Sequence, residues 1–289
     1  MQRSRTVASE IRSSIPRVWR GLCFAGHIAV LAGLACAHLP AAGSEIPLRV
    51  MTYNIRFGNG NVAGTAEAIR ASSPDLVALQ EVDVHWAERS NFVDQASVLG
   101  EQLQMEVRFA RIYQFAAARN GDPPREFGVA LLSKLPILDF ANHSLTRLST
   151  QDTNAVPAPL PGLLEARIDV KGSSVRVFDT HLDYRADPRV RQQQVTEMLA
   201  YIGDTSGPTL LFGDLNAPPD APEIQPLLAR LHDAWPSSMG PGLTDPADVP
   251  VKRIDYVLVS KHFRVRSASV PATLASDHRP VVVDLVLAR

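Results

Sequence analysis

Residues 209–219, TLLFGDLNAPP, are the stretch that most constrains both fold and chemistry. The first five are mostly apolar or small and predict a buried strand, which Asp214 follows at once and Asn216 two residues later. In extended geometry the two side chains point the same way. A carboxylate that takes or orients a proton, beside an amide that bonds phosphate oxygens, suits activation of a water molecule. A purely structural Asx turn is the alternative.

Other predicted strands also end in polar residues. Asn54 closes the strand at residues 48–54, Glu81 follows 76–80, and His181 follows 175–180. Loops at strand ends can converge because the sheet holds them rigidly. A carboxylate delivered in this way offers Mg²⁺ a hard oxygen ligand, of which Mg²⁺ usually takes one or two from protein. Taken singly, Glu81 can also be a surface acid and His181 a structural histidine.

Two further motifs lie near the end of the chain, RIDYVLVS at residues 253–260 and SDHRPV at 276–281. Asp255 falls inside a predicted buried strand, where an unpaired charge is costly, so it needs a partner. His278 is a natural one, since a carboxylate holds an imidazole in one tautomer. Asp277 and His278 are neighbours, and a loop allows the carboxylate to face a metal while the imidazole points elsewhere.

From Ile46 onward, short β-branched runs alternate with longer mixed stretches. The predicted strands cover residues 48–54, 76–80, 129–133, 166–170, 175–180, 209–213, 254–260 and 281–286. The predicted helices cover residues 65–72, 92–103, 190–203 and 224–231. Proline- and glycine-rich stretches predict loops at residues 121–124, 155–162 and 236–250. This pattern favours a single domain of two packed sheets with helices outside.

Composition narrows the chemistry. Apolar residues are 45% and charged residues 20% of the 289, as in ordinary globular proteins. The first 43 residues contribute +4 to a formal net charge of −1, which leaves −5 for the remainder. That remainder lacks the basic footprint of a protein that grips DNA by its phosphates. Both cysteines fall within the first 43 residues, so any metal needs oxygen or imidazole ligands. Such ligands indicate Mg²⁺, with Mn²⁺ or Ca²⁺ as alternatives.

The first 43 residues resemble a targeting segment. A basic stretch ends at Arg20, residues 21–37 are apolar except for His27, and small residues follow at 41–44. This order predicts a signal peptide and an exported protein, periplasmic or secreted. A retained membrane anchor is the alternative, because 17 residues is close to the length that spans a bilayer. A lipoprotein site at Cys36 is a further alternative. The predicted mature domain is residues 44–289.

Seven motifs, TYNIR, QEVD, FGVALLSK, THLD, GDLN, RIDYVLVS and SDHRPV, occur in this order along the chain. Together they resemble the endonuclease/exonuclease/phosphatase superfamily, which is deoxyribonuclease-like. The resemblance runs from residue 48 to 287. It implies an α/β fold, a four-layered sandwich in which two mixed β-sheets pack face to face with helices outside. It also implies an active site at one edge of the sandwich.

The resemblance implies roles for individual residues. The implied catalytic residues are Asn54, His181, Asp214, Asn216, Asp255 and His278. The implied metal ligands are Glu81 and, at a second site, Asp277. Asp214 aligns or deprotonates the attacking water, while Asn216 and His181 contact the phosphate. Asp255 supports His278, and the general base is either Asp214 or the His278–Asp255 pair.

Two residues are candidates for substrate contact or support. Some nucleases of this superfamily carry a glutamate near residue 126 that pairs with the site histidine, so Glu126 is a candidate partner of His181. A solvated loop acid is the alternative. Arg185 belongs to a group of arginines that offer basic loops to a nucleic acid: Arg119, Arg125, Arg185, Arg189 and Arg191.

The residues just after QEVD carry two interpretations. Trp86, Arg89 and Ser90 either contact the substrate or pack the loop that presents Glu81. Packing is the favoured interpretation.

The favoured function is an exported, metal-dependent phosphodiesterase or phosphatase acting on a small molecule or lipid headgroup. A secreted or periplasmic nuclease is the alternative, disfavoured by the charge of −5 and by the aromatic content of 6%. An inactive binding protein on the same fold is a third hypothesis. The expected partner is the phosphoester substrate. No stable protein partner is indicated, and membrane contact is expected only through an uncleaved N-terminal segment.

Overall fold

The computed structural model describes residues 45–288. These residues form twelve strands: β1 (Ile46–Asn54), β2 (Leu76–Val84), β3 (Glu106–Phe115), β4 (Arg125–Ser133), β5 (Ile137–Arg147), β6 (Ala158–Val170), β7 (Ser173–His181), β8 (Thr209–Asp214), β9 (His232–Asp233), β10 (Asp255–Val259), β11 (Phe263–Ser269) and β12 (Val281–Leu287). They also form four α-helices: α1 (Val62–Ser72), α2 (Gln95–Leu103), α3 (Arg189–Ile202) and α4 (Gln225–Arg230). Short 3₁₀ turns connect several of them.

The strands form two six-stranded mixed sheets. The first has the order β11-β12-β1-β2-β4-β3 and the second β5-β6-β7-β8-β10-β9. Within them β1 runs parallel to β2, and β7 runs parallel to β8, whereas the other neighbours are antiparallel. Two mixed sheets are the predicted arrangement, which is confirmed.

Alternation along the strands explains the layers. On β1, Val50 belongs to an apolar cluster shared by both sheets, whereas Met51 belongs to a cluster with helices α1 and α2. On β7, Val177 joins the shared cluster and Phe178 packs with α3 and α4. Side chains that alternate between two covered faces give strands that are apolar almost throughout. The predicted four-layered α/β sandwich is therefore correct.

Helix starts are set by capping residues. Asp94 accepts a hydrogen bond from the backbone N–H of Ser97 at 2.9 Å and begins α2 at Gln95, later than the predicted residue 92. Asn61 caps α1 in the same way through Gly64, so α1 begins at Val62, earlier than predicted.

One predicted loop is wrong. Residues 158–162, inside the predicted loop at 155–162, form the start of β6. Pairing of β6 with β7 begins only at Leu163, so this part of β6 has β5 as its single neighbour. Proline is tolerated at such an edge, which is why Pro159 and Pro161 do not break the strand.

Three substantial strands were missed, β3, β5 and β11. Each mixes buried and exposed positions with many polar residues, as in the β5 sequence ILDFANHSLTR. Such strands lack the apolar run that marks a strand covered on both faces.

The predicted signal peptide or membrane anchor, residues 1–43, lies outside the described residues and stays a prediction. Within residues 45–288, no helix is both long and apolar enough to cross a membrane.

Candidate active site

The ends of four strands meet at one edge of the sandwich. Asn54 is the last residue of β1, His181 of β7 and Asp214 of β8. Asp255 is the first residue of the antiparallel β10 and pairs in register with Asp214, which also pairs with His181. The parallel and antiparallel registers together gather these polar residues, as the sequence predicted.

Asn54 links the two sheets. Its fully buried side-chain amide donates to Glu81 Oε1 at 2.9 Å and to Asp214 Oδ2 at 3.0 Å. The two carboxylates are thus held on either side of one amide. This contact fixes Glu81, from the first sheet, beside Asp214, from the second.

The sequence predicts Glu81 just after the end of a strand, and this is wrong. In the structure Glu81 lies inside β2, which continues to Val84. The register with β4 shifts between Leu79 and Val82, and Glu81 has a φ of 57°. This is a β-bulge, in which an extra residue bends the strand and re-aims a side chain. The bulge turns the Glu81 carboxylate toward Asn54 while the strand goes on.

The segment after β8 is an Asx turn, so the predicted extended geometry is wrong. The backbone N–H of Asn216 donates to Asp214 Oδ1 at 2.9 Å, and Asn216 has a φ of 49°, a conformation that asparagine tolerates. The turn nevertheless delivers the Asn216 side chain to the site. Its amide nitrogen lies 2.9 Å from His181 Nε2 and donates to the Leu182 carbonyl at 3.1 Å. The Asx turn is thus present, and it places the Asn216 side chain beside His181.

The predicted contact between Asp255 and His278 is present, with Nδ1 and Oδ2 at 2.9 Å. The buried Thr244 hydroxyl donates to the same oxygen of Asp255. Nε2 of His278 lies 3.7 Å from Asp214 Oδ2 and 3.9 Å from Asp245 Oδ1. The imidazole is thus enclosed by acids, with one nitrogen held by Asp255 and the other turned toward Asp214.

These surroundings shift the pKa values of His278 and Asp214. Burial lowers the pKa of His278, but the negative charge and hydrogen bond of Asp255, with Asp214 and Asp277, outweigh it and raise that pKa to about 10. His278 is therefore an imidazolium at neutral pH. Burial, with repulsion from Asp255, raises the pKa of Asp214 above its usual range, although His181 and His278 act in the opposite direction. The raised pKa makes Asp214 a stronger base than an ordinary carboxylate.

The raised pKa of His278 predicts a pH-dependent stability. The folded chain binds this proton more tightly than the unfolded chain, whose histidine pKa is 6.5. The stabilisation is complete below pH 6.5 and is lost as the pH rises through about 10. We expect the free energy of unfolding, measured in denaturant with EDTA, to decrease as the pH rises from 6.5 to about 10. The free energy of unfolding of the His278→Gln variant should decrease less over that range. Parallel curves for the variant and the wild type would contradict the raised pKa of His278.

Asp277 lies in the loop before β12. Its Oδ2 is 3.2 Å from Nη1 of Arg56, and about a third of its side chain is exposed. The neighbouring Ser276 hydroxyl donates to the Asn54 carbonyl at 2.7 Å, and Arg56 N–H donates to Asn54 Oδ1 at 3.0 Å. The loop is therefore tied to the end of β1, which brings Asp277 to the same edge as Glu81.

The donor set fits a hard divalent cation. Glu81 and Asp277 offer carboxylate oxygens that are partly accessible, as Mg²⁺ prefers when water and phosphate complete its shell. Asp214, Asp255 and His278 also place ligand atoms within 4.8 Å of one another. That cluster is buried, and Nδ1 of His278 is already bonded to Asp255 at 2.9 Å. Glu81 and Asp277, at the same edge, are the more accessible candidate ligands for a divalent cation.

Glu126 does not pair with His181. It lies in β4, not in a loop, and its Oε1 is 3.6 Å from Nη1 of Arg111. Glu126 and Arg111 line a separate small cavity together with Phe140 and Asn142. The prediction fails because Glu126 is a residue of a paired strand, opposite Val84 of β2 and Gln114 of β3, and its side chain lies beside Arg111.

Arg185 is a support residue. It pairs with Asp183 and donates to the carbonyls of Leu148 at 3.1 Å and Ser149 at 3.2 Å. It thereby fastens the β5–β6 connection to the segment after β7. Of the residues after QEVD, Trp86 is buried and Ser90 bonds the Ala87 carbonyl, as packing predicts.

Several functional contacts were not predicted. Thr244 and Asp245, beside Asp255 and His278, fall in a proline-rich stretch that reads only as a loop. The sequence order TDP carries no signal for this placement.

Arg147, the last residue of β5, is another missed residue. Its guanidinium donates to the carbonyls of Pro161 at 3.1 Å, Gly162 at 2.9 Å and His181 at 2.8 Å. Burial lowers its pKa to about 10. Arg147 thus ties the β5–β6 pair to the end of β7, where His181 enters the site.

Arg147→Met is expected to lower the free energy of unfolding by at least about 2 kcal/mol, because it leaves buried carbonyls without donors. Arg147→Lys should lie between this variant and the wild type. Arg167→Met, at an exposed ion pair with Asp139, is the control and should change stability little. Denaturant unfolding measures all three, and equal stability of Arg147→Met and Arg167→Met would contradict this role.

A comparison with known protein families identifies one family for this chain. The sequence profile of the Endonuclease/Exonuclease/phosphatase family matches residues 51–278. A UPF0294 protein of Vibrio vulnificus is 26% identical over 137 residues, which are 45% of this chain and 45% of that protein. The match therefore spans less than half the length of that relative.

Three solved structures have a fold similar to that of this chain. An endonuclease/exonuclease/phosphatase from Beutenbergia cavernae is 25% identical with a TM-score of 0.65, covering 84% of this chain and 72% of that one. The human Nocturnin catalytic domain with bound sulfate is 21% identical with a TM-score of 0.64, covering 85% and 98%. A mannosyl-6-phosphatase of Bacteroides thetaiotaomicron is 17% identical with a TM-score of 0.57, covering 83% and 100%. The last two likenesses concern the fold alone.

Proposed function

Because the chain belongs to the endonuclease/exonuclease/phosphatase family, whose members are generally phosphoester hydrolases, we propose that it hydrolyses a small-molecule or lipid-headgroup phosphoester with Mg²⁺. The observation that carries the proposal is the convergence of two carboxylates on one buried amide. Asn54 bonds Glu81 and Asp214 at 2.9 and 3.0 Å. A cation ligand and a proton acceptor therefore stand side by side where a phosphate can enter.

The reaction we infer is a single in-line attack of water on phosphorus, with no covalent enzyme intermediate. Asp214, whose pKa burial raises, accepts the proton of the attacking water. His278, protonated and held at Nδ1 by Asp255, directs Nε2 to a phosphoryl oxygen. Preorganised donors of this kind stabilise the charge that grows in the transition state.

Two further groups position the phosphate. Asn216 and His181 stand together at 2.9 Å and offer an amide and an imidazole to its oxygens. Glu81, with Asp277, would hold Mg²⁺. When bound, Mg²⁺ supplies Lewis-acid polarisation of a phosphoryl oxygen and stabilisation of the leaving oxyanion.

The surface charges favour a small substrate over nucleic acid. Arg185, Arg189 and Arg191, which a nuclease would direct to phosphates, each form an ion pair with an acid of the same chain. Arg191 is also buried. Arginines neutralised in this way add little to binding of a polyanion.

Export is part of the proposal and rests on residues 1–43, with their basic, apolar and small-residue order. N-terminal sequencing of the protein purified from the cell envelope or medium tests it. A first residue near 44 supports cleavage and export, whereas an intact N-terminus in the cytoplasm contradicts them.

The substrate class is tested with purified protein and Mg²⁺ on four compounds: bis-p-nitrophenyl phosphate, p-nitrophenyl phosphate, sphingomyelin and plasmid DNA. We expect hydrolysis of a small or lipid phosphoester at a higher kcat/KM than of DNA. Faster cleavage of DNA would replace the proposal with the nuclease alternative. No hydrolysis of any compound would favour an inactive binding protein.

A further inference from the structure

A cavity of about 240 Å³ opens directly beside the candidate active site. Glu81 and His181 form part of its wall, so it is continuous with the place proposed for the phosphate. Away from these two residues the wall is mixed: Tyr113, Phe127 and Leu182 are its main apolar members. The polar members are Arg89, Arg147, Thr150, Gln151, Asp183 and Gln194. A group esterified to the phosphate can extend into this space without moving the phosphate.

The aromatic part of the wall belongs to a packed cluster. The rings of Tyr113 and Phe127 stack with centroids 6.1 Å apart, and Trp86 lies behind them at 6.4 and 5.7 Å. Trp86 is only 8% exposed, so the cluster is a fixed part of the first sheet. Rigid aromatic rings present flat apolar surface at little entropic cost.

The opposite rim is also fastened. The Tyr113 hydroxyl accepts hydrogen bonds from the backbone N–H of Thr150 at 3.0 Å and from its hydroxyl at 3.3 Å. Arg185 donates to the carbonyls of Leu148 and Ser149 in the same connection. Leu148, Thr150 and Gln151 line the cavity. The cavity is therefore built before a ligand arrives and needs no closure.

Two arginines line the cavity, Arg89 and Arg147, and the guanidinium of Arg147 is already bonded to backbone carbonyls. Arg89 pairs with Asp83 through Nε and Nη2 at 2.9 and 2.7 Å, and its guanidinium lies 3.9 Å from the centre of the Phe57 ring. Asp83 is fully buried and fixes this geometry. Within residues 45–288, Nη1 of Arg89 makes no hydrogen bond to another residue. It remains available to a polar atom in the cavity, as does the side-chain carbonyl of Gln151, whose amide donates to the Thr150 hydroxyl at 2.8 Å.

Volume sets the size of the occupant. An apolar cavity of about 150 Å³ holds one benzene molecule. A space of about 240 Å³ therefore accommodates one substituted six-membered ring, but not a fused polycyclic group or a base pair. Mixed aromatic walls and hydrogen-bonding groups are typical of sites that orient a small organic ligand.

We propose that this cavity binds the organic group of the substrate, and that the enzyme selects phosphoesters of a single-ring alcohol. The ring packs against Tyr113 and Phe127, while Arg89 and the side-chain carbonyl of Gln151 contact its polar substituents. An aromatic ring and a hydroxylated sugar-like ring share this chemistry. The inference rests on the proposed function, because it places the scissile phosphate beside Glu81 and His181.

Binding of non-hydrolysable phosphonates by isothermal titration calorimetry with Mg²⁺ tests the inference without turnover. The ligands are methylphosphonate, phenylphosphonate, the phosphonate analogue of glucose 6-phosphate and 9-anthracenylphosphonate. We expect at least one single-ring ligand to bind about tenfold or more tighter than methylphosphonate, and the three-ring ligand to lose that gain. The tighter of the two single-ring ligands identifies the kind of ring.

Phe127→Ala and the milder Phe127→Leu should reduce the ratio of single-ring to methyl affinity, the former by about tenfold. Phe115→Ala is the matched control, because Phe115 packs on Trp86 at 5.4 Å but does not line the cavity. It should keep the wild-type ratio. A wild-type ratio near one, an unchanged ratio in both Phe127 variants, or equal binding of the three-ring ligand would overturn the inference. Hydrolysis without ring preference would defeat this inference alone, and ring preference without hydrolysis would defeat the proposed function alone.

Discussion

Asp214→Asn is expected to lower kcat by about 10²–10⁴-fold, the usual contribution of a positioned general base. The substitution keeps the shape of the side chain and can still accept from the Asn216 N–H, which lies 2.9 Å from Oδ1. It removes the charge and the ability to take a proton from water. It also removes the acid that faces Nε2 of His181 at 3.5 Å and of His278 at 3.7 Å.

The measurement is steady-state hydrolysis of the best substrate of the panel, with unfolding curves to show that the variant folds. Asp220→Asn is the matched control, because Asp220 is exposed six residues later along the same segment. It should retain the wild-type rate. A folded Asp214→Asn protein within about threefold of wild type would exclude Asp214 as the base and transfer that role to the His278–Asp255 pair.

Glu81→Gln is expected to lower kcat/KM at low Mg²⁺ by about 10²–10³-fold, which corresponds to the loss of several kcal/mol of metal stabilisation. The glutamine can still accept from Asn54, whose amide lies 2.9 Å from Oε1, so the local hydrogen bond survives. The substitution does remove the negatively charged oxygen ligand for Mg²⁺. Raising the Mg²⁺ concentration should recover part of the loss.

A titration of rate against Mg²⁺ checks this prediction. Glu88→Gln, an exposed acid in the same connection, is the control and should show the wild-type midpoint. If Glu81→Gln and the wild type had the same midpoint and rate, the metal would have to be held elsewhere. The cluster of Asp214, Asp255 and His278 would then be the remaining candidate within the described residues.

The sequence predicts the sandwich well because its central strands are covered on both faces. Runs such as residues 209–213 and 281–286 are apolar almost throughout, and only a strand between two layers needs that composition. Edge strands carry no such signature. β5 and the first part of β6 are half exposed, and their prolines and polar residues resemble a loop.

The site is predicted in its members but not in its geometry. Asn54 and His181 lie at strand ends that the sequence predicts closely, whereas Asp255, predicted inside a strand, is the first residue of β10. The bulge at Glu81 and the turn at Asn216 depend on backbone conformations with positive φ, which no motif specifies. For both residues, the backbone conformation that places the side chain in the site differs from the predicted one.

Contacts that join distant segments could not be predicted at all. Thr244 meets Asp255, and Arg147 meets His181, only because the two sheets and their connections fold together. Glu126 illustrates the converse error. It directly precedes the motif FGVALLSK, yet in the structure its carboxylate lies 3.6 Å from Arg111.

Removal and return of the metal tests the central claim most directly. The rate of phosphoester hydrolysis by the wild-type protein is measured with Mg²⁺, after EDTA, and after Mg²⁺ is restored in excess. The geometry of Glu81, Asn54 and Asp214 predicts that EDTA abolishes hydrolysis and that Mg²⁺ restores it. Hydrolysis that continues unchanged in EDTA would contradict a metal-dependent water attack at this site.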